Sequence, residues 1–139
     1  MTRILAFAAA AAISTSLALA TPVAARTPQP AHLVDTAWTV VQINDQQPKS
    51  TRAEIRFKPG RVSATAGCNG LGGTWQIRQG RLHGGPFLST TMYCEGLMED
   101  ERAMADVLGG KPRIDVTGGI LTLRLGKQVI LARRQPNRV

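Results

Sequence analysis

The sequence predicts a β-rich α+β fold: a small antiparallel, barrel-like wrapped sheet of about seven or eight strands, with one helix at about residues 95–109. Three observations point there. Short apolar/polar alternating runs recur at the period of strands. Turn signals such as Pro59-Gly60, Gly80 and Gly126-Lys127 separate them at roughly 8–12-residue intervals. A single stretch, "EGLMEDERAMADVLGGKP", carries helical spacing instead.

The chain has 139 residues and opens on "MTR", an apolar run "ILAFAAAAAISTSLALA" and the small-residue exit "TPVAA". That order is the build of a secretory signal peptide over residues 1–25, with cleavage after Ala20 or Ala25. The run sits at the lower edge of bilayer-spanning length and stops at Pro22, which argues against a retained span. With no cysteine near either site, no lipid anchor is expected, and the protein is expected to be periplasmic or secreted. Residues 26–32, "RTPQPAH", have two prolines and no periodicity and read as a tether. The folded domain is expected over 33–135.

Within it, "DTAWTVVQIND" reads as a strand through Trp38, Val40, Val41 and Ile43, ending at an Asn44-Asp45 turn. "RAEIRFKPGRVSATAG" alternates Ala53, Ile55 and Phe57 with charged residues. It turns at Pro59-Gly60 and resumes with Val62, Ala64 and Ala66, as a hairpin does. "GTWQIRQGRLHGG" repeats the pattern through Trp75, Ile77 and Leu82. The helix places Leu97, Met104 and Leu108 on one face, with Ala105 beside Leu108 and Met98 on the flank. Glu95, Glu99, Asp100 and Glu101 complement the positive end of its dipole as a solvated face. Gly109-Gly110 and Pro112 stop it, while no clean N-cap marks its start. "RIDVT", "ILTLRLG" and "KQVILARR" close the sheet, with Leu121, Leu123 and Leu125 facing the core.

"TAGCNGLGGTW" concentrates the residues that could carry chemistry. Asn69-Gly70 reads as a type I′ turn, and Gly72-Gly73 as a bulge or a close approach of backbone. The loop lacks the lysine and Ser/Thr of a phosphate cradle, and no helix follows it. The two cysteines, Cys68 and Cys94, read as a staple in an oxidising compartment; buried, unbridged thiols are the alternative. A zinc site would have to draw on Cys68, Cys94, His83 and His32, without any metal-ligand spacing. A nucleophile would need His83 to face Ser63, Ser89 or a cysteine, and no catalytic elbow is present. Glu101 lies beside the buried stripe, so it needs a partner; Arg124 and Arg133 are candidates. No metal, cofactor or catalytic residue is expected.

Removing Arg3 with the leader leaves 16 of the 17 Lys and Arg against 9 Asp and Glu, net +7. Export makes nucleic acid an unexpected partner. An envelope protein, or an anionic polymer or lipid, is the kind of partner this charge suits outside the cytoplasm.

Taken together, Trp38, "A-x-I-x-F" (Ala53 to Phe57), "G-C-N-x-x-x-G-x-W" (Gly67 to Trp75), "T-x-M-x-C" (Thr90 or Thr91, Met92, Cys94), the helical Glu101 and the closing Leu121 and Leu123 resemble the META domain family of the HslJ heat-shock type. The resemblance implies a small β-rich domain with one helix, of bacterial envelope or secreted proteins tied to stress tolerance, with no enzymatic activity of the family as such. It carries Trp38, Phe57, Gly67, Asn69, Gly70, Gly73, Trp75, Thr91, Met92, Glu101 and Leu108 over as structural positions, with Cys68 and Cys94 as a bridge. Inhibition of an exported hydrolase, or electrostatic binding of anionic envelope polymers or lipids, are the alternative roles.

Overall fold

A computed structural model describes residues 32–136; the leader and nearly all of the tether lie outside them. The described chain forms nine strands and one helix. These are β1 (Thr36–Ile43), β2 (Glu54–Lys58), β3 (Arg61–Thr65), β4 (Leu71–Arg78), β5 (Arg81–Gly84), β6 (Leu88–Ser89), α1 (Met98–Gly109), β7 (Arg113–Thr117), β8 (Ile120–Leu125) and β9 (Gln128–Arg134). All pairings are antiparallel, and the sheet runs β3-β2-β1-β9-β8-β7-β5-β4 before β4 returns to β3. The result is a closed eight-stranded barrel, and closure removes the open edges a flat sheet of this size would leave. The short β6 continues the line of β5 along β4.

Alternation decides which side chains fill the barrel. Trp38, Val40, Ile55, Phe57, Val62, Trp75, Leu82, Ile114, Leu121, Leu123 and Ile130 point inward and are buried. Phe57 and Trp75 meet edge to face, centroids 4.9 Å apart, a geometry worth about 1 kcal/mol beyond area burial. Both indoles are satisfied: Trp38 Nε1 donates to Thr36 Oγ1 at 2.7 Å and Trp75 Nε1 to the Lys58 carbonyl at 2.8 Å. The helix packs against β1, β3, β5, β8 and β9 and buries Ala103, Met104, Val107 and Leu108.

Several local expectations need correction. In β1 the register to β9 slips between Val40 and Gln42, so Val41 is only half-buried and Ile43 takes the next inward position. Ala105 is exposed and Leu97 half-buried; the helix instead presents Ala103 and Val107 beside Met104 and Leu108. Leu125 faces the core with Leu121 and Leu123 as expected, packing against its edge half-buried at the end of β8. The Asn69-Gly70 pair is not a type I′ turn, since neither residue has positive φ. Two-residue turns with both central φ positive lie at Asn44-Asp45, Gln79-Gly80 and Gly118-Gly119.

Candidate functional site

The β3–β4 loop, the segment between β6 and the helix, and the first turn of α1 converge at one end of the barrel. Cys68 and Cys94 are disulfide-bonded there, with Cα atoms 6.0 Å apart. Both sulfurs are committed to the bridge, so neither is a thiolate available for attack or for metal. Among the described residues no three His, Cys, Asp or Glu side chains converge on a metal-sized position.

Asn69 explains why that position needs an amide. It is buried, its Nδ2 donates to the Met92 carbonyl at 2.9 Å, and its Oδ1 accepts from the Met92 N–H at 2.7 Å and from Thr90 Oγ1 at 2.9 Å. Only an amide side chain offers a donor and a two-lone-pair acceptor in one plane. This side chain cross-links the two loops, which is the work that the expected turn does not do. Thr90 adds a second tie: its Oγ1 accepts from the Gly70 N–H at 3.1 Å and its own N–H donates to the Gly70 carbonyl at 3.1 Å. Both threonines are exposed, and of the two Thr90 is the one whose hydroxyl bonds into the joint.

Glu101 does not pair with Arg124 or Arg133. Its Oε1 accepts the N–H groups of Cys68 and Asn69, both at 3.0 Å. A carboxylate in a helix's first turn is favoured by the dipole, and here it also satisfies two loop donors that face it. Asp100 was expected on the solvated face. It is only 8% exposed and accepts the Lys49 N–H at 2.8 Å, fastening the β1–β2 connection to the same helix end. Gly67 has φ +118°, and a Cβ there would strike the Ser50 side chain, while its carbonyl accepts from Arg52 Nη2 at 2.8 Å. No sequence pattern announced Asp100, Ser50 or Arg52, because their partners lie far away in the chain.

Gly73 bears out the expected close approach. Its Cβ would lie 2.8 Å from the Phe87 ring and 2.9 Å from the Pro86 carbonyl. Gly84 faces the same ring from β5, and Phe87 lies between the two bare backbones.

Upon this braced base sit the exposed apolar side chains Leu88 (80% exposed), Met92 (57%) and Tyr93 (80%). Met92 and Tyr93, with Thr90, Met98, Glu101 and Arg102, line a shallow depression of about 390 Å³. Single exposed apolar residues are ordinary; here Met92 and Tyr93 share one depression on a loop pinned by a disulfide and a buried Asn, and Leu88 is exposed on the same segment four residues before Met92. His83, the remaining candidate for chemistry, lies on the barrel wall opposite Gln76. A larger depression of about 570 Å³ over β1 and β2 is lined by Asp35, Glu54, Arg56 and Lys58. Its charges are already paired, Glu54 with Arg56 at 2.7 Å and Asp35 with Lys58 at 3.1 Å. The bond from Arg56 holds the Glu54 carboxyl below its usual range and the guanidinium above its own.

The family model of the META domain matches residues 31–137. Two solved structures share the architecture. One, titled "NMR structure of the protein", is 23% identical with a TM-score of 0.68, covering 76% of this chain and 93% of its own. Another, an NMR structure of a protein from Burkholderia xenovorans, is 19% identical with a TM-score of 0.63, covering 88% and 99%. At such identities they establish the fold alone. No curated protein matches the chain.

Proposed function

The chain belongs to the META domain family, and on that premise we propose that it is an exported, non-catalytic protein of the bacterial envelope that serves stress tolerance by binding another envelope protein through the patch of Leu88, Met92 and Tyr93. The observation that carries this reading is the contrast between the patch and its base. The side chains are exposed, while the backbone beneath them is held by the bridge, by Asn69 and by Glu101. A preordered apolar surface loses little entropy on association, and Tyr and Met are residue types enriched in interfaces. The leader-like opening and the disulfide both suit an oxidising compartment. Among the described residues no helix is long and apolar enough to cross a membrane.

Photo-crosslinking from position 93 in intact cells tests the reading. A discrete adduct should form and should disappear when Leu88→Ser and Met92→Ser are added, with the melting temperature unchanged. Equal adduct yield from the variant would refute the patch as the binding surface.

A further inference from the structure

Four arginines stand in register across four neighbouring strands. Arg78 of β4 lies opposite Arg81 of β5, Arg81 opposite Arg113 of β7, and Arg113 opposite Arg124 of β8. Alternation turns all four outward, because Ile77, Leu82, Ile114 and Leu123 take the adjacent inward positions, and all four are exposed. Lys111 precedes β7, and Lys127 sits in the turn after β8. Among the described residues no carboxylate pairs with any of the four. Asp115, the one acid facing outward on these strands, accepts a hydrogen bond from Thr117 instead.

Like charges placed directly opposite across strands destabilise a sheet. Three consecutive like pairs therefore cost stability in the free protein, and a bound anion would relieve that cost. Neighbouring strands lie about 4.8 Å apart, so the row presents one cation at about that interval. We propose that this row is a binding track for a linear acidic polysaccharide, a polymer whose carboxylates recur along the chain at about one per sugar unit. The track follows the convex wall through three of the barrel's eight interstrand steps. A flexible polymer can bend along it, whereas a flat bilayer touches such a wall along a line and reaches fewer of the four at once. The row lies at the opposite end of β4 from Gly72, the partner of Leu88, six residues or about 20 Å away along the strand, so it is a second surface that goes beyond the protein-binding reading.

The test is isothermal titration calorimetry of the purified mature protein with polygalacturonate. Among the described residues neither Arg113 nor Arg124 makes a side-chain hydrogen bond, so R113Q/R124Q removes charge and little else. It is expected to weaken binding at least about tenfold. The control R61Q/R133Q is equal in charge change and lies off the row, opposite Thr74 and Ile120, each four residues along its strand from Arg78 and Arg124; it is expected to stay within about twofold. Raising salt from about 0.1 M to about 1 M shortens the screening length from about 10 Å to about 3 Å and should abolish the binding. The melting temperature of R113Q/R124Q should equal or exceed that of the parent, since repulsion is removed. The proposal is overturned if the two double variants lose affinity equally, which would reduce the effect to net charge. It is also overturned if the row variant melts lower, or if phosphatidylglycerol vesicles bind while polygalacturonate does not.

Discussion

Glu101 accepts the backbone N–H groups of both Cys68 and Asn69, so a single carboxylate in the first turn of the helix holds the cysteine-bearing loop in place. The disulfide and the carboxylate thus act on the same joint between β-barrel and helix. Hydrogen bonds to a charged acceptor contribute about 1.5–3 kcal/mol each when the alternative is an unsatisfied donor. Glu101→Ala is expected to destabilise by about 2–3 kcal/mol, and Glu101→Gln by less, because its carbonyl still accepts. Urea unfolding at constant m-value checks the order.

The bridge closes a loop over a separation of 26 residues, which removes about 3.5 kcal/mol of chain entropy from the unfolded state. Cys68→Ser/Cys94→Ser should lower stability by about that amount. Adding reductant should shift the midpoint of the parent and leave that of the double variant unmoved.

Phe87 supplies a prediction with an internal control. Gly84→Ala would place its Cβ 2.5 Å from the far end of the ring, and Gly73→Ala would meet both the ring and the Pro86 carbonyl. Each should destabilise by about 1–3 kcal/mol. Adding Phe87→Leu should recover most of the loss for Gly84→Ala and little for Gly73→Ala, where backbone is the obstacle. Thermal melts of the four variants decide it.

Glu54 gives the acid limb a defined component. Its carboxyl is held below the ordinary value, chiefly by the bond from Arg56, so the folded pKa lies below the unfolded one. The stabilisation is present above the unfolded value and is lost as pH falls through the folded value. Arg56 is about half exposed and Glu54 partly so, and solvent screening leaves the pair an effect of about 0.5 kcal/mol. The stability of Glu54→Gln should fall less than that of the parent between about pH 6 and pH 3.

Much of the barrel was legible in the sequence because its strands join through tight turns. Pro59-Gly60, Gln79-Gly80 and Gly126-Lys127 fix three hairpins locally, and alternation then chooses the inward faces. Barrel closure was not legible in detail: β1 with β9 and β5 with β7 pair across long separations, and β5 touches β7 at the single pair Arg81 and Arg113. Asn69 was misread for a physical reason. Its side chain is equally suited to a positive-φ turn and to bridging two loops, and only the arrival of Met92 and Thr90 selects the second. Asp100 looked solvated because acids favour a helix start anyway, and that local preference masked its distant amide partner; Glu101 reads as needing a partner, but the partners are backbone amides of a distant loop rather than an arginine. The two-residue β6 was too short to show a period. The arginine row was invisible for a related reason, since its members are scattered from 78 to 124 and only register aligns them.

The most direct measurement is the intact mass of the protein recovered from the periplasmic fraction of a bacterial host, taken after alkylation without reductant. A chain that starts after Ala20 or Ala25, is two hydrogens lighter than its dithiol form and takes up alkylating agent only once reduced is the expected result. A mass retaining residues 1–20, or two alkylated thiols before reduction, would contradict an exported protein braced by Cys68 and Cys94.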